Sequence, residues 1–139
     1  MGATCAVNVG TEDPVSIAKR RTSGRGADIV IEAAGSAAAL HVSVEAVRPG
    51  GEVIWLGKVD VDHEVSFRWG ALMQEKRVRR SSYGAARPAR DFPLLARAYL
   101  DGQLMLDELI TERICLADIN RGFTALKRGQ AIRSVVVLE

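Results

Sequence analysis

Residues 27–36 read Ala-Asp-Ile-Val-Ile-Glu-Ala-Ala-Gly-Ser, and the predicted architecture follows from them. The consecutive apolar residues Ile29–Ile31 lack the alternation of a strand with one wet face. A short continuous apolar run is typical of a strand covered on both faces, as in a parallel sheet. The run ends in Ala33, Ala34 and Gly35, whose small size leaves room for a flat molecule against the backbone. Open α/β sheets bind their ligands at that edge.

A second strand that ends in glycine follows at Glu52–Leu56, between Gly50-Gly51 and Gly57. Between the two strands, apolar residues recur at helical spacing after Ser36, a suitable N-cap. The unit therefore predicts strand, helix and strand, joined by a right-handed crossover. The predicted fold class is α/β, with a partial Rossmann-like parallel sheet and flanking helices.

The remaining patterns extend this unit in both directions. A strand that runs from Arg77 to Tyr83 would form an edge of the same sheet, because its arginines discourage further pairing. The other predicted elements are strands at Gly2–Val9 and Arg133–Leu138, helices at Val15–Thr22 and Phe67–Glu75, a helix capped by Asp91, an extended segment at Leu104–Ile110 and a helix capped by Asp118.

Composition narrows the class of protein. The chain has 139 residues and a net charge of +2, which does not by itself argue for nucleic acid. No apolar run reaches the roughly 20 residues of a membrane helix. Cys5 and Cys115 lie far apart, which favours a reduced, cytoplasmic setting. His41 and His63 are isolated from other ligand types, so a zinc site within the chain is not expected.

The usual motifs of a catalytic or nucleotide site are missing. Gly-x-Gly-x-x-Gly does not occur between a strand and a helix, and Gly24-Arg-Gly26 precedes a strand instead of following one. No Ser/His/Asp set or phosphate loop is present. Asp28 and Glu32 share one strand, where a charge is more often structural than a general acid or base.

Several short motifs in the chain match one family in order and spacing. They are Gly2-Ala-Thr with Asn8, Gly26-Ala-Asp-Ile-Val-Ile-Glu-Ala-Ala-Gly35, Arg48-Pro-Gly-Gly51 with Leu56-Gly57, Asp107-Glu-Leu-Ile-Thr111, Ile119-Asn-Arg-Gly-Phe123, and Gly129 with Ile132-Arg133. Each is weak alone, but together they span essentially the whole chain. The chain resembles the carboxyl-terminal part of zinc-type, medium-chain alcohol dehydrogenases.

This resemblance implies two regions. Residues 1–87 would be the second half of a Rossmann-type dinucleotide-binding domain. Residues 88–139 would be the helices and strands that return towards the catalytic domain. The catalytic zinc ligands and the glycine-rich first half of the nucleotide domain have no counterpart in the sequence. Met1 is therefore expected to be a false start, an expression boundary or the start of a shortened gene.

The resemblance also implies cofactor contacts, with NAD or NADP as the cofactor and zinc only in the intact family. Ala33, Ala34, Gly35 and Ser36 would line the cleft; Leu56, Gly57 and Lys58 would approach the nicotinamide; Ser82 and Tyr83 would contact its carboxamide; Arg133 would pair with the pyrophosphate. An arginine suits that role because its planar fork holds two phosphate oxygens. Alternatively, the small residues only turn the chain and Arg133 is solvated. Lys58 stands where the family often has an apolar residue.

The family's strand order, 3-2-1-4-5-6, leaves a gap beside Ile29–Ala34, because the first two strands would be absent. An apolar strand with an open edge is a pairing hazard. Three outcomes are expected: the first strand slides over to pair with this edge, a second copy covers it, or the chain is poorly stable.

Three functions remain open. The first is a nucleotide-binding fragment of an alcohol dehydrogenase, which would not be catalytic alone. The second is a non-catalytic module that binds a partner chain or a nucleotide. The third is a fragment of a zinc-free quinone or enoyl reductase. The expected partners are a nicotinamide dinucleotide and either a second copy or the missing half of the enzyme, with no nucleic acid and no membrane.

Overall fold

A three-stranded parallel sheet forms the centre of the first half of the chain in the computed structural model, which describes residues 2–138. The prediction about Met1 lies outside these residues. The chain divides into two compact units, the first being Gly2–Ala86 and the second beginning at Arg87. The helices and strands of the first unit are α1 (Pro14–Arg21), β1 (Ala27–Glu32), α2 (Ala37–Ala46), β2 (Val47–Trp55) and β3 (Arg77–Arg80).

The sheet has the order β1-β2-β3, and both neighbouring pairs are parallel. Val30 lies opposite Val53, which in turn lies opposite Val78. Helix α2 connects β1 to β2 and packs against both strands. The predicted strand–helix–strand unit and the α/β fold class are confirmed.

The local signals for the helix starts act as expected. The carboxylate of Asp13 accepts hydrogen bonds from the amides of Val15 and Ser16, both at 3.1 Å. The hydroxyl oxygen of Ser36 accepts one from the amide of Ala39 at 3.2 Å. Each cap satisfies amides that have no partner inside the helix, so the helix begins where its cap residue stands.

The core of the first unit lies between α2 and the sheet. Val44 and Val53 are completely buried, and Leu40 and Val47 are nearly so. Ser43, also buried, donates its hydroxyl to the carbonyl of Leu40 at 2.6 Å. The same hydroxyl accepts the indole N–H of Trp55 at 3.0 Å. The buried hydroxyl of Ser43 thus both donates and accepts a hydrogen bond, as buried polar groups usually do.

One face of β1 is exposed, contrary to the expectation of a strand covered on both faces. Ile29 and Ile31 are 59% and 61% exposed. Val30 and Glu32 point to the opposite face, because side chains alternate along a strand. The apolar run therefore has a packing partner on one side only among the described residues. The edge of β1 opposite β2 has no paired strand in the same part of the chain.

Two predicted elements of the first unit are wrong. Residues 2–9 form no strand, so the proposed pairing of this segment with β1 does not occur. Its apolar residues have strand propensity, but propensity alone does not place the segment against the free edge of β1. Phe67–Glu75 contains only a short 3₁₀ turn, Trp69–Leu72, instead of a helix. Phe67 packs its ring on Trp55 with centroids 5.8 Å apart.

In the described part of the chain, the second unit has fewer α-helices and strands than the first. It contains α3 (Pro88–Leu100), β4 (Glu112–Cys115), α4 (Ile119–Lys127) and β5 (Ser134–Val137). Strands β4 and β5 form a separate parallel pair. Helix α4 connects them and approaches closely, since a Cβ atom on Gly122 would lie 2.7 Å from Cδ1 of Ile114. This is a second strand–helix–strand unit.

Sequence patterns mispredict two features here. Asp91 does not begin α3; the N-cap is Arg87, and Asp91 lies in the first turn with its carboxylate accepting the amide of Arg87 at 2.7 Å. Leu104–Ile110 is not an extended segment, because it contains the 3₁₀ turn Asp107–Leu109. The extended segment comes next, as β4.

Candidate functional site

Three chain segments meet at the carboxyl edge of the first sheet. Residues 33–36 follow β1, residues 56–58 follow β2 and residues 81–84 follow β3. Parallel strands end at the same edge, so the topology brings these segments together. The predicted site residues that lie at this edge are Ala33, Ala34, Gly35, Ser36, Leu56, Gly57, Lys58, Ser82 and Tyr83.

Gly35 and Gly57 bring the first two segments into direct backbone contact. A Cβ atom on Gly57 would lie 2.6 Å from Cα of Gly35. A Cβ atom on Gly35 would lie 2.8 Å from the amide nitrogen of Lys58, and Gly35 also has a φ of +68°. Both positions therefore need glycine, since any side chain would separate the two turns.

Glu32, the last residue of β1, holds this contact in place. Its carbonyl accepts the amides of Leu56 at 2.8 Å and Gly57 at 3.1 Å. Its side-chain Oε1 accepts the amide of Gly35 at 2.6 Å. The side chain is buried, and Oε2 has no hydrogen-bond partner among the described residues. The sequence indicated a structural carboxylate but not this role, which depends on two loops folding back onto one residue.

The segment after β1 borders a cavity of about 520 Å³. Ala33, Ala34 and Ser36 line it together with Val30 and Ile31 of the strand. The small side chains leave an open, mainly apolar concavity beside the backbone of the strand end. Such a surface can accept the face of a flat ring, as ligand pockets commonly do.

A second cavity, of about 430 Å³, lies at the ends of β2 and β3. The predicted residues Leu56, Lys58, Ser82 and Tyr83 line it, and so does Arg80, which the sequence analysis did not single out. Strand β3 ends at Arg80, earlier than predicted. Ser82 and Tyr83 therefore lie in a loop and not in the strand.

The loop after β3 has an unusual backbone. Tyr83, Gly84 and Ala85 have consecutive positive φ values of 50°, 63° and 54°. Amides of Ala85 and Ala86 donate to the carbonyls of Ser82 and Tyr83 at 3.0 and 3.1 Å. Left-handed conformations of residues other than glycine are costly and are found often at functional sites. Tyr83 is held almost fully exposed by this turn.

Arg133 belongs to the second unit, so it is not among the residues gathered at the sheet edge of the first. It stands immediately before β5, where its carbonyl accepts the amide of Thr111 at 3.0 Å. The hydroxyl oxygen of Thr111 accepts the amides of Ile132 and Arg133 at 3.1 and 3.3 Å. The backbone is thus fixed, while the exposed guanidinium has no hydrogen bond or ion pair with residues 2–138.

The residues present do not fit a metal centre. Residues 2–138 hold no group of three or more His, Cys, Asp or Glu side chains arranged to bind a metal ion. Cys5 and Cys115 are exposed free thiols. No chemistry that depends on zinc can be derived from the described residues. Within that same range, no helix is long and apolar enough to cross a membrane.

Comparison with known proteins assigns the chain to a family. Residues 1–100 match the zinc-binding dehydrogenase family. The chain is 27% identical over 125 residues to alcohol dehydrogenase-like 6 of Arabidopsis thaliana, covering 89% of this chain and 33% of the relative. It is 32% identical to S-(hydroxymethyl)glutathione dehydrogenase of Paracoccus denitrificans, covering 81% and 30%. The chain thus spans about a third of the length of these curated relatives.

Solved structures agree on the fold. Benzyl alcohol dehydrogenase of Acinetobacter calcoaceticus superposes with a TM-score of 0.88 at 24% identity, covering 99% of this chain and 38% of that one. Alcohol dehydrogenase TADH of Thermus sp. ATN1 gives a TM-score of 0.75 at 25% identity, covering 96% and 38%. With the family match over most of its length, the chain belongs to the zinc-binding dehydrogenases.

Proposed function

We propose that this chain forms one wall of the nicotinamide-dinucleotide crevice of an alcohol dehydrogenase. The meeting of Gly35 and Gly57 at the carboxyl edge of two parallel strands carries this proposal. It brings two backbone turns together beside a concave, mainly apolar surface, which is where open α/β sheets bind nucleotides. The alternative, in which the small residues only turn the chain, does not account for the cavity beside Ala33 and Ala34.

The proposed contacts follow the three segments of the sheet edge. Ala33, Ala34, Gly35 and Ser36 line the cofactor cleft, Leu56, Gly57 and Lys58 approach the nicotinamide, and Ser82 and Tyr83 contact its carboxamide. In the second unit, Arg133 pairs with the pyrophosphate. Its backbone is fixed by Thr111, and its guanidinium has no partner among residues 2–138. Both features support this role, since a planar fork binds two phosphate oxygens at once. The dinucleotide is NAD or NADP.

The chain's own contribution is binding and orientation. When bound, the nicotinamide supplies hydride transfer to or from an alcohol carbon. The described residues contain no cluster of three or more His, Cys, Asp or Glu side chains placed to bind a metal, so the zinc of this family would be held by another part of the enzyme. Residues 88–139 would belong with that part. The exposed face of Ile29 and Ile31 and the free edge of β1 would be covered by the other half of the enzyme or by a second copy.

A calorimetric titration of the 139-residue chain with NAD⁺ and NADP⁺ tests the proposal. One wall of a crevice is expected to bind weakly, with a Kd on the order of 1 mM, or about −4 kcal/mol. Arg133→Met should weaken binding several-fold, because it removes the proposed phosphate contact. Arg113→Met is the matched control, since Arg113 is an exposed arginine of the same unit.

The absence of saturable binding up to about ten times that concentration would contradict the proposal and favour a non-catalytic interaction module. Equal effects of the two arginine variants would show that only net charge matters, which would remove Arg133 from the site. Selective loss in Arg133→Met supports both the crevice and the role of Arg133.

A further inference from the structure

The connection between β2 and β3 has little regular structure of its own. It runs from Leu56 to Lys76, all of it described, and contains one short helical element, the 3₁₀ turn Trp69–Leu72. Two parallel strands need a crossover, which in most sheets is an α-helix that packs on the sheet through a continuous apolar face. An irregular crossover has no such face, so its path depends on a few side-chain contacts.

Phe67 makes the main contact of this connection. Its half-buried ring stacks on the indole of Trp55, with centroids 5.8 Å apart and planes inclined by 16°. It also contacts the imidazole of His41 in α2, at 4.8 Å and 48°. The next residue, Arg68, forms an ion pair with Glu45 of the same helix at 3.0 Å. Phe67 thus contacts one ring of the sheet and one of the helix, at separations that aromatic pairs favour.

Trp55 is the residue through which this contact reaches the sheet edge. It is the last residue of β2 and directly precedes the site segment Leu56–Lys58. Its backbone is paired on both sides, with β1 and with β3. Its indole N–H donates to the buried hydroxyl of Ser43 at 3.0 Å, and Phe67 stacks on its ring. The side chain is therefore held both at its polar edge and on its face.

Residues 59–66, between the site segment and Phe67, have no comparable contact. Most of this stretch is exposed, and within the described chain none of its side chains forms a hydrogen bond or an ion pair. It therefore does not restrain Leu56–Lys58 along the backbone. The position of that segment depends instead on Trp55, which precedes it, and on Gly35, which lies against it.

We propose that Phe67 is a positioning residue for the cofactor. By packing on Trp55, it fixes the direction in which the chain leaves β2, and so the place of the backbone of Leu56–Lys58 beside the nicotinamide. Phe67 lies outside the crevice and touches no cofactor. This inference rests on the proposed function, in which Leu56–Lys58 approaches the nicotinamide. The competing explanation is that Phe67 only adds apolar packing to the fold.

The test replaces the ring and compares the effect with a loss of packing elsewhere in the same connection. Phe67→Leu keeps an apolar side chain but removes the stack on Trp55, whereas Ala71→Gly removes a buried methyl group of the 3₁₀ turn and leaves the stack intact. NAD⁺ is titrated into each 139-residue variant and followed by NMR shifts of the amides of residues 56–58. Phe67→Leu should raise the Kd about three-fold. Ala71→Gly should leave the Kd unchanged, although both variants lower the urea midpoint.

Two further variants complete the test. Phe67→Tyr retains the ring and should restore both the Kd and the amide shifts of residues 56–58. His41→Ala guards against a variant that does not fold, because His41 is exposed and its loss removes the second ring beside Phe67. It should move the same amides in the same direction as Phe67→Leu, by a smaller amount. If Phe67→Leu does not fold, the absence of such a shift in His41→Ala would overturn the proposal.

The remaining outcomes separate the role of Phe67 from the proposed function. An unchanged Kd in Phe67→Leu would overturn that role and leave the function standing. An equal loss of binding in Ala71→Gly would also overturn it, because packing alone would then explain the effect. If the unchanged chain binds no NAD⁺, the proposed function fails, and the spectra without ligand decide on Phe67. Amide shifts at residues 56–58 in Phe67→Leu but not in Ala71→Gly would support its hold on that segment, and equal shifts would overturn it.

Discussion

The two units of the chain use their apolar residues in different ways. The first unit buries Leu40, Val44 and Val53 between α2 and the sheet. In the described part of the second unit, the only large apolar residue that is buried is Ile114. Its exposed large apolar residues include Phe92, Leu94, Leu95, Leu100, Leu116, Phe123, Ile132 and Leu138.

Both units contain a strand–helix–strand connection between parallel strands, so topology does not explain the difference. The first sheet has three strands, and α2 covers two of them; the second has a single pair of four-residue strands. A short pair offers little surface to bury. Exposed apolar surface of this extent is typical of an interaction face, which supports the proposal that residues 88–139 belong with the catalytic part of the enzyme.

Gly57→Ala should cause the largest loss of stability and of NAD⁺ binding. It tests how tightly the two turns pack at the carboxyl edge of the first sheet. The added Cβ would lie 2.6 Å from the backbone Cα of Gly35, so the turns that follow β1 and β2 must separate. We expect a loss of about 3 kcal/mol in the free energy of unfolding and the loss of NAD⁺ binding. Urea denaturation followed by circular dichroism measures the first and calorimetry the second.

Gly70→Ala is the control for this substitution, because a Cβ at Gly70 meets nothing within 4 Å. It should leave both measurements unchanged within error. If Gly57→Ala were equally neutral, the contact between the two turns would not be tight in solution, and the structural argument for the crevice would fail.

Glu32→Ala should have the next largest effect. It leaves the partly buried amide of Gly35 without its acceptor, which costs about 1 kcal/mol. Glu32→Gln is the matched control, because its amide oxygen can still accept from Gly35 at the same volume. We expect Glu32→Ala to weaken NAD⁺ binding and Glu32→Gln to retain most of it. Equal loss in both variants would show that the negative charge itself, not the hydrogen bond, holds the edge.

Sequence patterns predict the first unit well, and the reason is physical. Asp13 and Ser36 are side chains whose local hydrogen bonds begin α1 and α2, so their effect is visible within four residues. The glycine-ended strands β1 and β2 are continuous apolar runs, and parallel strands must end at one edge. The gathering of residues 33–36 with residues 56–58 is a consequence of that topology.

The failures come from elements that depend on a partner. Residues 2–9 have the composition of a strand but do not pair with the free edge of β1. By contrast, β4, with the sequence Glu-Arg-Ile-Cys, is a strand only because it pairs with β5. The roles of Glu32 and Phe67 have the same origin. Each role depends on a segment that is distant in sequence and folds next to the residue, and no local sequence pattern predicts that contact.

The smallest predicted effect concerns the opposite end of the sheet from the crevice. A hydrogen bond from Arg48, at 2.5 Å, and its positive charge hold the pKa of Asp28 below the usual value. A carboxyl group with a lowered pKa stabilises the fold above its unfolded pKa of about 4 and loses that contribution as the pH falls through its folded value. Asp28→Asn should therefore lower the Tm slightly at pH 7, since the pair is solvent-exposed. The Tm difference from the unchanged chain, measured by circular dichroism between pH 7 and pH 2, should vanish at the acidic end. A decrease that persists at pH 2 would mean that packing around Asp28, and not its charge, supports this end of the first unit.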